Sequence, residues 1–362
     1  MWIGLFPEFS QVGGIQQVSR HVGAVLATKA RAKGLPCELL ALNDDVGQRS
    51  FSVGPHEYSY CAFGRSKAAL LAHLLRRAPR LDTLFLGHVN LAPLGLLLHL
   101  IHWRTRYWVV AHGVEVWQPL PLHRRIALRR ARGILAVSAH TAEQAAKNQR
   151  LDPRHVFLLP PALDPSFVPA TALNDEILAG RKVLLTVGRL ISSEPGKGVD
   201  AVIRALPEVL KHSPDLLYVV IGEGDLKPHL EKLAQDSAVQ DHVLFAGQQT
   251  AENLRRYYSR ADLYVMPSRQ EGFGLVFLEA MASGKPVMAA NFGGAAEIIQ
   301  EGRTGFLVDP DHPAQLADRL VRLLEDEALR QKMGAAGRQL VAERYAFPRF
   351  EEDLSRLLDA SN

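Results

Sequence analysis

Cysteine is almost missing: Cys37 and Cys61 are the only two in 362 residues, and both sit in apolar runs of strand character. No disulfide framework organises such a chain, and a reducing, cytoplasmic setting is expected. Long hydrophobic runs are missing too. The longest, Leu91–Ile101, is broken by Pro93 and His99 and is too short to span a bilayer. The opening residues Met-Trp-Ile-Gly-Leu-Phe-Pro-Glu carry no basic leader and read as a first core strand, not as a signal peptide. There is no internal repeat, no low-complexity tract and no histidine–cysteine cluster at zinc-ligand spacing. A nucleic-acid-binding motif is also lacking, so nucleic acid is not expected as a partner.

What remains is a chain that is 47% apolar and long enough for two domains with separate cores. Short apolar runs alternate with helix-length segments throughout, which predicts doubly wound α/β domains with parallel sheets. The first set of predicted strands is Trp2–Phe6, Cys37–Leu42, Thr83–Gly87, Tyr107–Ala111, Ile134–Val137 and Val156–Leu159. The second is Val183–Val187, Leu217–Ile221, Val243–Ala246, Leu263–Met266, Val287–Ala290 and Phe306–Val308. Between the sets, Pro160–Thr171 carries four prolines and reads as a linker, giving domains over 1–165 and 166–346. After Asp309 the pattern is wholly helical: Pro313–Asp326, Ala328–Arg344 and Pro348–Leu358. Ligands of open α/β sheets sit beyond the carboxyl ends of strands. The loops after Phe6, Ala111, Val187, Ile221, Ala246 and Met266 are therefore expected around one cleft.

Charge is unevenly spread. Residues 1–170 hold 20 Lys+Arg against 10 Asp+Glu, while 171–362 hold 22 against 28. Arg76, Arg77 and Arg80, then Arg104 and Arg106, then Arg124, Arg125, Arg129, Arg130 and Arg132 cluster near apolar stretches. Such a field favours an anionic partner, either a phospholipid surface or a phosphorylated acceptor.

The chemistry concentrates in Ser268-Arg-Gln-Glu-Gly-Phe-Gly-Leu-Val-Phe-Leu-Glu-Ala-Met-Ala-Ser-Gly-Lys-Pro-Val287. Gly272 and Gly274 permit a tight turn around Phe273, and Leu275–Ala282, opening with Leu275 and Val276, reads as a helix closed by Gly284. Free N–H groups at that helix start suit a phosphate. Glu279, one turn in, is placed to accept hydrogen bonds from ribose hydroxyls, and Glu271 on the loop to hold hydroxyls of a sugar. Arg189 and Lys197, on the loop after Val187-Gly188, are two cations that stabilise a departing diphosphate more than its ground state, without a metal. Gly13 and Gly14 at a helix start let a phosphate approach backbone closely. Gly222-Glu-Gly224 and Gly247-Gln248-Gln249 end successive strands where a nucleoside would rest. Asp309-Pro-Asp311 has metal-ligand spacing but opens a helix, and a capping role is expected there.

These motifs, together with Ala111-His112-Gly-Val-Glu115 and Gly293-Gly294 with Glu297, resemble in order those of retaining GT-B glycosyltransferases, in particular family 4 with its E-x7-E pair. The resemblance implies two Rossmann-like lobes facing a central cleft, with the final helix, 347–362, returning to the acceptor-side lobe. It implies that His112 touches the transferred hexose and that Gly14 lies near the donor β-phosphate or the acceptor. Against the commoner spacing of that family, Ser192–Gly196 makes the loop between Arg189 and Lys197 slightly long, so Arg189 is the safer assignment of the two. It further implies transfer from a nucleotide diphosphate sugar to a hydroxyl with retention, the departing phosphate oxygen taking the acceptor proton. No cofactor and no metal are expected. His112-Gly-x-Glu115 is similar to the mannosyltransferases of the group, so GDP-mannose is favoured over UDP-glucose, with a lipid-linked or cell-envelope glycan as acceptor. Localisation follows as cytoplasmic, with peripheral contact on the inner face of the membrane. The rival readings are a sugar-nucleotide 2-epimerase, which would isomerise free donor, and a nucleotide-sugar sensor, which would bind donor without reaction.

Overall fold

The computed structural model describes residues 1–173, 176–192 and 196–359. The interior of the long loop, 193–195, and the last three residues assigned to the final helix, 360–362, lie outside the described residues. The chain divides into two compact units, Met1–Ser166 with Tyr345–Asn362, and Phe167–Arg344. The first crossing falls inside the proline-rich stretch, where proline cannot continue a helix or donate to a sheet.

The first unit holds one sheet built from β1 (Trp2–Phe6), β2 (Cys37–Ala41), β3 (Gly47–Val53), β4 (His56–Ala62), β5 (Thr83–Leu86), β6 (Arg106–Ala111), β7 (Gly133–Ala136) and β8 (Val156–Leu158). Its spatial order is β3-β4-β2-β1-β5-β6-β7-β8. The expected all-parallel sheet needs correction at one edge, because β3 and β4 form an antiparallel hairpin. Their residues alternate: Phe51, Val53, Tyr60 and Ala62 are buried, while Ser50, Ser52, Glu57 and Ser59 are exposed. Alternation of period two marks a sheet edge wet on one side, and such strands lack the continuous apolar run of a buried parallel strand. Gly54, at φ +57°, supplies the turn.

The helix Gly14–Ala32 covers one face of this sheet with Val18, Val22, Val25 and Leu26. The final helix, Phe347–Asp359, adds Phe350, Leu354 and Leu358 to the same core. A strict spacing of four residues puts those three side chains in one stripe. Burying each is worth roughly 1.5–3 kcal/mol, which fixes the returning helix on the first unit. Lys29 and Lys33 also meet Asp359 at 2.7 and 2.8 Å.

In the second unit β9 (Lys182–Val187), β10 (Leu216–Ile221), β11 (Val243–Gly247), β12 (Leu263–Met266), β13 (Val287–Ala290) and β14 (Gly305–Val308) pair in the order β11-β10-β9-β12-β13-β14, all parallel. The chain builds outward from β9 on one side and then returns to β12 on the other. The carboxyl ends of β9 and β12 therefore part at a topological switch point, where open sheets bind ligands. The equivalent point in the first unit lies between β1 and β5.

Candidate active site

The switch point of the second unit holds the densest cluster. Past β9 the chain runs through Gly188 and Arg189, which is exposed. It returns at Lys197, just before Gly198 opens the helix Val199–His212. The Lys197 stem lies along Gly188: a Cβ built on that glycine would stand 3.5 Å from Lys197 Cγ. Its ammonium donates to Glu271 Oε2 at 2.9 Å, with only 20% and 15% of the two side chains exposed. Two charges at this depth interact far more strongly than on an open surface. Sequence reasoning gave Lys197 to a phosphate and Glu271 to a sugar; here they are partners. The Glu271 carbonyl accepts from Gly294 N at 2.9 Å, so the Gly293-Gly294 turn pins the loop that carries the acid.

Behind this pair, Glu279 stands on the helix Leu275–Ala282 and accepts a hydrogen bond from Tyr258 Oη at 2.8 Å. The Tyr258 phenol is fully buried, and burial first, then the nearby Glu279 charge, pushes its pKa well above the usual value. It is thus a permanent donor that orients one carboxylate oxygen. The helix start carries no side-chain cap, since its cap residue is Gly274 at φ +99°. Gly272 and Phe273 are buried just before it, whereas Leu275 and Val276 are half-buried in its first turn.

Three glycines meet at neighbouring strand ends. Gly188 N donates to Ile221 O at 2.9 Å and Gly222 N to Gly247 O at 3.0 Å. Gly222 sits at φ +141°, and a Cβ there would fall 1.9 Å from Gly188 O, so no other residue fits. Gln248, next along, is exposed, as is Glu297.

In the first unit, Gly13 precedes the helix that Gly14 opens. His112 leaves β6 half-buried, and its Nε2 lies 2.7 Å from Gly87 O at the end of β5. A carbonyl only accepts, so Nε2 carries the proton and Nδ1 the lone pair when the ring is neutral. His112 N donates to Glu115 Oε1 at 2.5 Å, so the glutamate of His-Gly-x-Glu caps its own loop. His88 stacks on His112 with ring centroids 5.8 Å apart. Burial, and secondarily the His112 ring, lowers its pKa to about 4, so it is neutral at pH 7.

Tyr258 and His88 escaped sequence reasoning. Tyr258 lies on an amphipathic helix, Ala251–Arg260, where an aromatic reads as core; His88 had no partner visible along the chain. The Asp309-Pro-Asp311 expectation also needs correction. The helix that follows is capped by His312 with no side-chain bond, and Asp309 instead accepts from Asp311 N at 2.9 Å and meets His312 Nδ1 at 2.8 Å. Asp311 pairs with Arg269 at 2.8 Å. Among the described residues, no group of three or more histidines, cysteines and acids could hold a metal ion.

Two α/β units, parallel except for the β3–β4 edge of the first, with glycine-rich loops at their switch points, match the GT-B fold, and solved structures share it. Sucrose-phosphate synthase from Thermosynechococcus elongatus superposes with a TM-score of 0.76 at 22% identity over all of both chains. Anabaena HepE in complex with UDP gives 0.76 at 18% identity over 99% of each. Residues 174–340 match the model of glycosyl transferases group 1. The GDP-mannose-dependent alpha-(1-6)-phosphatidylinositol monomannoside mannosyltransferase of Mycobacterium tuberculosis is 31% identical over 96% of this chain and 94% of that protein. The alpha-D-kanosaminyltransferase of Streptomyces kanamyceticus is 30% identical over 81% and 74%. The chain belongs to the group 1 glycosyltransferases.

Proposed function

We propose that this protein is a retaining, metal-independent hexosyltransferase that moves mannose from GDP-mannose to a hydroxyl of a lipid-linked cell-envelope acceptor. The Lys197–Glu271 pair at the β9/β12 switch point is the observation that carries the reading. In the proposed complex the donor diphosphate lies over Gly188 and the uncapped start of the helix Leu275–Ala282. It draws on the Lys197 ammonium, with Arg189 as the second cation. Charge that grows on the phosphate as the glycosidic bond breaks is met by fixed positive groups, which favours the transition state over the ground state. Glu271 takes sugar hydroxyls and Glu279, oriented by Tyr258, takes the ribose. Gly222, Gly247 and Gln248 line the base.

His112 sits against the hexose in this account. Its proton on Nε2 is committed to Gly87 O, leaving Nδ1 toward the sugar ring as positive character develops. The phosphate oxygen that leaves takes the acceptor proton on the same face, giving retention without a protein nucleophile. Mannose is favoured because relatives named GDP-mannose-dependent match nearly the whole chain.

The test is a donor screen by thermal stabilisation followed by transfer. A donor at 100 times its Kd adds about 2.7 kcal/mol of stability. GDP-mannose should stabilise more than UDP-glucose, and the product's anomeric signals should keep the donor configuration. Inverted product, or isomerised free donor without transfer, would sink the reading.

A further inference from the structure

The first unit carries a second basic surface, at the ends of its strands opposite the His112 loop. Residues that begin strands line it: Trp2 of β1, Thr83 of β5 and Arg106 of β6 border a cavity of about 480 Å³ with Trp103, Arg104 and Asp82. A neighbouring cavity of about 400 Å³ shares Arg106 and adds His99, Arg130 and Arg132. Beside them the end of the helix Ala92–Ile101 and the turn that follows leave large apolar side chains in solvent. Leu100 is 73% exposed, Ile101 54% and Trp103 75%, although Gly95 and Leu98 of the same helix are buried.

Charge on this face is mainly positive. Between Thr83 and Arg132 the only acid in the sequence is Glu115, and it is spent on His112 N at the opposite strand ends. Asp82, the one carboxylate lining either cavity, lies 2.5 Å from the terminal ammonium of Met1. Arg104 stacks over Trp103 with its guanidinium 5.5 Å from the ring centre.

We propose that this face, with Leu100, Ile101 and Trp103 inserting and Arg104, Arg106, Arg130 and Arg132 holding lipid phosphates, docks the protein on an anionic phospholipid bilayer. A bilayer interface rewards both halves of the surface: apolar side chains enter the acyl boundary, tryptophan settles at headgroup depth, and arginines meet phosphates. A nucleic acid would engage the arginines but gain nothing from Leu100 and Ile101. The other basic cluster fits less well. Arg77 is bound to Glu38 at 2.8 Å, and the only exposed large apolar residue on its helix, Lys67–Arg77, is Leu75 at 40%. The proposal extends the reading of a lipid-linked acceptor without depending on it, since bilayer binding is measured with neither donor nor acceptor.

The experiment uses the full chain with phosphatidylcholine vesicles, with and without phosphatidylglycerol, read by sedimentation and tryptophan emission. Anionic vesicles should bind it, salt should weaken binding, and emission should shift to the blue. Trp2 and Trp108 are buried and Trp117 is half-buried, so Trp103, 75% exposed, is the main reporter: Trp103→Phe should lose most of the shift yet still sediment. Paired Arg104→Gln and Arg106→Gln should weaken partitioning on the order of tenfold or more. Leu100→Ser with Ile101→Ser should do likewise at unchanged melting temperature, while Arg76→Gln with Arg77→Gln and Arg80→Gln should matter less. Equal binding to neutral vesicles, no binding to either, or dependence on the Arg76 cluster instead of Arg104 and Arg106 would overturn the assignment. So would tight binding to duplex DNA that survives the Leu100/Ile101 change together with loss of vesicle binding.

Discussion

Replacing Lys197 by methionine keeps the length of the stem along Gly188 and removes only the ammonium. The pair it breaks is a charge-assisted hydrogen bond of 2.9 Å between side chains 20% and 15% exposed. Such bonds contribute about 1.5–3 kcal/mol, and a largely desolvated carboxylate left without its partner costs a comparable amount. The loss of roughly 3–5 kcal/mol seen for fully buried pairs is an upper bound here, because water still reaches both groups. Lys197→Met and Glu271→Gln should each lower stability by about 1–3 kcal/mol, or roughly 2–10 °C in the melting temperature of a domain of this size. The double variant should lose less than the sum, with a coupling of about 1–3 kcal/mol. Turnover should fall in all three, but the coupling in melting temperature is measured without donor. Strict additivity of the two melting shifts would show that the contact carries no energy and would remove the pair from the argument.

Under the same assignment, Arg189→Ala should reduce kcat about 100-fold or more while activity survives EDTA; complete, metal-reversible loss would contradict a cationic clamp. Tyr258→Phe and Glu279→Gln should both raise the donor KM with kcat nearly kept, and Tyr258→Phe should add little once Glu279 is gone. A Tyr258→Phe enzyme with a normal KM would detach the tyrosine from donor binding. His21, fully buried and 3.9 Å from Asp164, has its pKa lowered from 6.5 to about 4, chiefly by burial. The unfolded chain then binds the extra proton between those values, so stability falls as pH drops from 6.5 toward 4, by roughly one kcal/mol per pH unit. Urea midpoints at stepped pH should show that slope, and His21→Leu should flatten it; an unchanged slope in the variant would assign the effect elsewhere.

Much of this architecture was legible because parallel strands buried on both faces must be written as continuous apolar runs. β1, β12 and β13 begin and end where the runs do, and the helix Leu275–Ala282 is bounded by the two glycines that flag it. The hairpin β3–β4 was missed for the same reason in reverse, since its serines and tyrosines alternate instead of running together. Strand-end loops announce themselves through glycines that only a close backbone approach requires, as at Gly222. What the chain does not write down is which side chains meet across such loops. Lys197 and Glu271 are 74 residues apart, and Tyr258 and Glu279 are 21 apart on two different helices. Each partner taken alone looked like a ligand group, and their mutual hydrogen bonds appear only when the sheet order brings the carboxyl ends of β9 and β12 together.

That sheet order also separates two kinds of arginine and lysine that composition lumps into one basic balance. At the carboxyl ends of strands, Lys197 stands beside an acid that shares its charge. At the amino ends of β5 and β6, Arg104 stacks over the exposed Trp103 beside the exposed Leu100 and Ile101. A cation paired with an acid in a partly buried loop is held in position and is little affected by salt, which suits the role proposed for Lys197 at a departing phosphate. A cation on an open apolar face is screened within about 8 Å at physiological ionic strength, which suits reversible attachment. The two sets should therefore differ in their response to salt: moderate salt should release the protein from anionic vesicles while leaving the Lys197–Glu271 coupling nearly unchanged. Measuring both on one preparation, vesicle sedimentation and the double-variant melting cycle across the same salt series, tests the distinction, and a coupling that fades in step with vesicle binding would refute it.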